Sequence, residues 1–354
     1  MLFNIEHDGG THIIGYVVPD GYSGEAKLRI RANGRVLLEI STVDFRPALV
    51  TAGRHETGRC GFLLDNNLLP GLETIPDLEI VDVANNVLVY RRPQPTRLRK
   101  KILRLETHLF PLRKLDLSVA PFFQYSACRV EQYGKETVDQ MFLLNGVDSV
   151  FLSGRIMYRG YQHYIDGQFS VFLVMQDPYE ELAERILVLK ALSQNEKKLL
   201  NERERMLFNP VIAYLANLSL ADTAALKRCI INMPKEVIAT LSNPIVRQLT
   251  VSTPDEMPQR FSVASALDML SSCQLVGFRH EPNRLSEAIA ETWNIDAAEI
   301  SIPEQIPSIR KLGAMLKDMA AVRAFLEKDI ELYQNASEAA KAVELGLGKF
   351  DDEG

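Results

Sequence analysis

The sequence predicts an α/β protein in which an N-terminal antiparallel β-sandwich precedes a parallel-sheet domain with a mainly helical C-terminal half. Three observations carry that reading. From Thr11 to Arg92 apolar residues alternate with polar ones and no helical period of any length competes. Short apolar runs then appear at Val150 to Leu152 and Ser170 to Met175, as suits strands buried on both faces. Long helical segments lie between and after those runs, the alternation expected of a parallel sheet covered by helices.

In chain order, Leu28 and Ile30 alternate with Lys27, Arg29 and Arg31, and Asn33-Gly34 offers the two positive-φ positions of a type I′ turn before Val36 to Ile40. That is a β-hairpin. Further strands are expected at Cys60 to Leu64, Leu78 to Val83 and Val87 to Tyr90, the last two joined at Asn85-Asn86. The β-sandwich is therefore assigned to residues 1–92. Arg91, Arg92, Arg97, Arg99, Lys100, Lys101 and Arg104 follow without an acidic residue, and Pro93 and Pro95 stop any strand that reaches them. Residues 93–105 are read as a basic linker, with a peripheral contact to an anionic surface through 91–104 as the sharper alternative. The α/β domain then spans 106–345, with helices at Pro178 to Arg205, Leu220 to Asn232, Val263 to Ser272, Leu285 to Trp293 and within Ile306 to Val343, and 346–354 form an acidic tail.

Composition narrows the function. The chain of 354 residues is long enough for two domains, and 46% hydrophobic residues suffice for their cores. With 40 basic and 46 acidic residues the net charge is -6, so no chain-wide positive field exists for nucleic acid. Cys60, Cys128, Cys229 and Cys273 are far apart and form no CxxC, which leaves neither a zinc site nor a redox pair to be read from them. Residues 1 to 12 carry Glu6 and Asp8 where a signal peptide needs an apolar run, and no stretch is long and apolar enough for a membrane span; a cytoplasmic location is expected.

Motifs exclude more than they include. GxSxG and HExxH are absent, and Gly134-Lys135-Glu136-Thr137 is only a fragment of a phosphate loop, with Arg129 where its first glycine belongs. The informative segment is Val171 to Arg185, where an apolar strand ends at Gln176-Asp177-Pro178 and a helix begins at once. Asp177 suits the N-cap and Pro178 the first helical position. Such a junction stands at the carboxyl edge of a sheet, where open α/β folds place ligands; a capped helix without a ligand is the plainer reading.

From here the chain resembles the carbohydrate sulfotransferases, which move sulfuryl groups from 3′-phosphoadenosine 5′-phosphosulfate to sugar hydroxyls. Val150-Phe151-Leu152-Ser153-Gly154-Arg155 resembles the family strand that ends in Gly-His, and Gln176-Asp177-Pro178 resembles Arg-Asp-Pro. Asn243-Pro244-Ile245-Val246-Arg247-Gln248-Leu249 resembles Asn-x-x-x-Arg-x-Leu, Leu275 to Phe278 the Val-Gly strand, and Asp329 to Tyr333 the Asp-x-x-Leu-Tyr near the family's C-terminus. The resemblance implies a P-loop-like domain with 3′-phosphoadenosine 5′-phosphosulfate as co-substrate, no permanent cofactor and no metal. It implies donor contacts at Gln176, Asp177, Glu184 and Arg247, with Arg155 beside the transferring group; surface pairing with glutamates is the alternative for the two arginines. His163 beside Tyr164 is a candidate base outside the family motifs, a structural histidine being the plainer reading. The departures are equally specific. The family's Lys-Thr-Gly-Thr-like loop is missing between Leu103 and Asn145, Gln176 stands for the arginine, Glu184 falls near the expected serine, and Arg155 replaces the histidine.

Asp44 to Leu49, Ala52-Gly53 and Gly61-Phe62 resemble a small β-domain attached to bacterial glycosyltransferases and other surface-polysaccharide enzymes. In that domain Phe45, Arg46 and Phe62 are read as core and turn packing, with a glycan contact as the alternative. Together the two resemblances imply a sulfotransferase-like protein of bacterial polysaccharide modification or biosynthesis, acting on a glycan or its precursor. The alternatives are a non-catalytic glycan- or partner-binding protein that retains the fold, or a transferase with another activated donor.

Overall fold

The computed structural model describes residues 1–344 apart from 22, 145, 195–198 and 221; the expected acidic tail lies outside the described residues. The structure is mixed α/β, with two antiparallel sheets, one parallel sheet and a helical C-terminal half. The chain divides into two compact units. One comprises Met1–Leu103 and Val119–Ser153, the other Arg104–Ser118 and the described residues from Gly154 onward.

The first sheet joins β1 (Leu2–Asp8), β2 (His12–Val18), β6 (Arg59–Asp65) and β5 (Asp44–Phe45) in that order. The second joins β4 (Arg35–Ser41), β3 (Lys27–Ala32), β7 (Leu78–Asp82) and β8 (Leu88–Arg91). Asn33 and Gly34 have φ of 49° and 74°, so the β3–β4 hairpin closes through the turn its sequence predicts. Leu28 and Ile30 are fully buried, while Arg29 and Arg31 on the opposite face pair with Glu39 and Glu79. In the α1 turn (Pro47–Thr51), Arg46 bonds Glu6 and lies over Gly61, where a Cβ would sit 2.5 Å from its Nη1. Phe62 is in the core, whereas Phe45 is exposed.

The segment expected as a basic linker is less cationic than it reads. Arg91 pairs with Glu79, Arg92 with Asp8 and Arg97 with Asp77, while Arg104 is turned into the protein interior. The segment also ends in a strand, β9 (Lys101–Leu105). Carboxylates thus pair four of the seven cations and Arg99 remains exposed, so fewer charges face outward than the run suggests.

The parallel sheet has the order β10 (Tyr125–Cys128), β11 (Val150–Gly154), β9, β12 (Ser170–Met175) and β13 (Leu275–Phe278). Short helices α2 (Arg113–Val119), α3 (Lys135–Phe142) and α4 (Tyr158–Ile165) precede α5 (Pro178–Leu192). The helix expected to run unbroken from 178 to 205 is two. After α5 the chain restarts at α6 (Glu202–Leu215), where Asn201 and Glu204 form a capping box. Then come α7 (Thr223–Ile231), α8 (Lys235–Leu241), α9 (Pro244–Thr250), α10 (Ser262–Ser271) and α11 (Pro282–Trp293). The segment from 306 breaks into α12 (Pro307–Lys317), α13 (Ala320–Phe325) and α14 (Glu327–Glu344). Leu182, Ile186 and Leu189 of α5 face one cluster with Val211, Leu226, Leu241, Leu312 and Val322. This cluster holds α5 in place, and with it Glu181, Glu184 and Arg185. Gly277 lets α11 close on β13, since a Cβ there would meet Leu285 Cδ1 at 2.3 Å.

Candidate functional site

Beyond Leu105 the chain turns through Glu106 to Leu112 into α2, a strand–loop–helix of the kind whose amides can cradle a phosphate. Here the chain's own carboxylates take those amides. Glu106 accepts from the N–H groups of His108 at 3.2 Å and Leu112 at 2.7 Å, and Glu184 of α5 accepts from Phe110 at 2.9 Å. Arg104 completes the arrangement: its Nε and Nη2 donate to Asp116 at 2.6 and 2.9 Å, and Nη2 also to Glu106 at 2.8 Å. All three residues are 1% exposed.

Further bonds fix the loop from the strands and helices around it. Thr107 donates its hydroxyl to the Val174 carbonyl of β12 and accepts at its own carbonyl from Arg185, which pairs with Glu181 four residues earlier. Gln248 of α9 donates to the Glu106 carbonyl at 2.6 Å. Asp329 of α14 accepts from the amides of Ile245 and Val246, which open α9.

Burial dominates the electrostatics. It pushes Glu184 up to about 7, assisted by the nearby Glu181 charge. Asp329 also rises to about 7, because burial outweighs the two amides that favour its charged form. Burial opposes the charge on Glu106 as well, yet the Arg104 charge and the His108 hydrogen bond hold its carboxyl well below the usual range. His108, whose Nδ1 lies 2.8 Å from Glu106, is raised: burial disfavours the charged ring, and that hydrogen bond and charge more than offset it.

The residues singled out in the sequence are divided among different tasks. Asp177 caps α5, accepting from the amides of Tyr179 and Glu180. Glu184 belongs to the buried network. Gln176 is 1% exposed and both of its amide atoms lack a partner among the described residues. Arg155 pairs with Glu204 at 2.8 Å and donates to the Leu109 carbonyl, and Arg247 donates to the carbonyls of Ala239, Thr240 and Ser242 at the end of α8. His163 stands exposed on α4 against the Tyr164 ring, and none of the described interactions joins it to this network.

Arg104, Glu106, His108, Asp116, Glu181, Arg185 and Arg279 escaped the sequence reading. Two signals existed: a charge inside the apolar strand Lys101 to Leu105, and the i, i+4 pair Glu181 and Arg185 with Glu184 beside it on a largely apolar helix. Arg104 was masked by the cations preceding it, which made it read as one more member of a solvated strip.

No protein-family model matches the chain, and neither does any curated protein. Among solved structures it is similar to a sulfotransferase from Alicyclobacillus acidocaldarius, with 12% identity, a TM-score of 0.32, and coverage of 66% of this chain and 96% of that one. So remote a likeness transfers no residue role to this chain.

Proposed function

We propose that this chain is a sulfotransferase-like binding protein of bacterial polysaccharide modification or biosynthesis that no longer takes 3′-phosphoadenosine 5′-phosphosulfate. The sequence motifs supply the family and the glycan. The observation that supports loss of the donor is the occupation of the loop after β9: the N–H groups of His108, Phe110 and Leu112 are committed to Glu106 and Glu184. A phosphosulfate at those amides would have to displace two carboxyl groups and meet the charge of Glu106. Under this reading Gln176 keeps a ligand contact, Asp177 and Arg247 serve helix ends, and Arg155 braces α6 through Glu204.

Calorimetry with adenosine 3′,5′-bisphosphate tests it. The expected result is a Kd weaker than roughly 1 mM, where binding is worth only about 4 kcal/mol. Micromolar binding would overturn the proposal and restore a sulfuryl transferase, with Arg155 and His163 as the residues to substitute next.

A further inference from the structure

Strands β9, β12 and β13 are neighbours in the sheet, and just beyond each one's carboxyl end stands a buried polar side chain with unsatisfied atoms. These are Nε2 of His108, both amide atoms of Gln176, and Nε and Nη1 of Arg279, none with a partner among the described residues. The three residues are 0%, 1% and 9% exposed. The Arg279 amide donates to the Met175 carbonyl at 2.8 Å, which sets its backbone beside the turn that carries Gln176. The last guanidinium nitrogen, Nη2, reaches the Glu304 carbonyl alone among the described residues, at 3.4 Å. Glu184 and Glu106 are close enough to act on Arg279 through space, and Glu106 fixes the far side of the His108 ring.

A buried guanidinium that no carboxylate contacts directly is costly to keep, and its unsatisfied buried donors add to that cost. Functional sites are where such costs persist. We infer that His108, Gln176 and Arg279 form a binding site for one small oxyanion group, a carboxylate, sulfate or phosphate. Arg279 supplies charge and donors, the Gln176 amide donates alongside, and the His108 ring, with Nδ1 directed to Glu106, presents Nε2–H when it is protonated. Entry is past Arg279, the most exposed of the three, on the strand at the sheet's edge. Side chains hold this group, whereas the loop amides are already taken. The site therefore stands whether or not the donor nucleotide binds.

The test uses the unmodified chain in thermal unfolding and calorimetric titration with acetate, sulfate or phosphate, each against chloride at equal ionic strength. At least one oxyanion is expected to raise the melting temperature by several degrees and to saturate. Acetate alone identifies a carboxylate ligand; sulfate or phosphate alone identifies a tetrahedral one. Arg279→Met is expected to melt higher than the unmodified chain without anion, because it removes the unsatisfied buried donors, and to lose the anion-dependent shift. No effect beyond chloride, or an equal shift in Arg279→Met, overturns the site. Should that variant not fold, Gln176→Met carries the test: about tenfold weaker binding supports the site and unchanged affinity overturns it.

Discussion

Arginine–carboxylate pairs recur in both units, with opposite consequences. On the β3–β4 hairpin, Arg29 and Glu39 meet at 2.8 Å with 36% and 47% of their side chains exposed. After β9, Arg104 meets Asp116 at 2.6 Å with 1% of either exposed. The bond is nearly the same and the medium is not. Water screens the first pair and solvates either partner left alone, so the pair adds little. The second pair offsets a desolvation cost that returns in full if one partner is removed. Charge on this hairpin decorates a sheet face whose opposite side carries the apolar core, whereas charge after β9 decides which conformation the loop adopts.

The largest effect expected from this contrast is that of Arg104→Met, which strands Asp116 and Glu106 without their cation. A loss of about 3–5 kcal/mol in chemical denaturation is expected. A loss below about 1 kcal/mol would mean that the network behaves like surface charge, and the contrast would fail.

A pH effect of comparable size is expected from each of two buried carboxyls. Glu184 and Asp329 have folded pKa values of about 7 against ordinary values of 4.5 and 3.8. Between those limits the folded chain keeps protons that the unfolded chain releases, so stability falls as pH rises, by about 1.4 kcal/mol per pH unit for each group, and the share of these two levels off above about 7. Glu106, shifted the other way, acts at pH values below its ordinary 4.5, while His108, raised above its ordinary 6.5, adds a further fall at the upper end of the window and beyond it. Unfolding measured across the window should show the fall, and Glu184→Gln should remove one group's share. A flat profile would place these carboxyls in contact with water.

Asp177→Ala removes a cap that serves two amides, at an expected cost of about 1 kcal/mol. Arg29→Ala should cost least, between about 0.2 and 1 kcal/mol, and less still in high salt. A larger loss from Arg29→Ala than from Asp177→Ala would reverse the order of the two regions.

The parts of the fold that could be read in advance are those made by near neighbours in sequence. Asn33-Gly34 closes its hairpin and Asp177-Pro178 opens its helix because the determining contacts span two or three residues. The helix ends at Leu192, Lys317 and Phe325 were not legible, since no glycine or proline follows directly after any of them. The capping box at Asn201 was present in the sequence and is the one local signal that marks such a break. Of the candidate site, Gln176 and Glu184 were named for their places in a motif, but their partners were invisible. Phe110, which donates to Glu184, lies 74 residues away in sequence.

The sequence by itself determined the α/β class, the alternating strands, the hairpin turn and the capped junction at Asp177, because period and turn chemistry act over a few residues. Only the tertiary structure decided which charges go inside. Arg99 and Arg104 are both arginines in one basic run, yet Arg99 is exposed and Arg104 is 1% exposed between Asp116 and Glu106. Charge can be buried only where compensating groups converge, and these come from α2, α5, α9 and the loop after β9, which meet only once the sheet and its helices have packed.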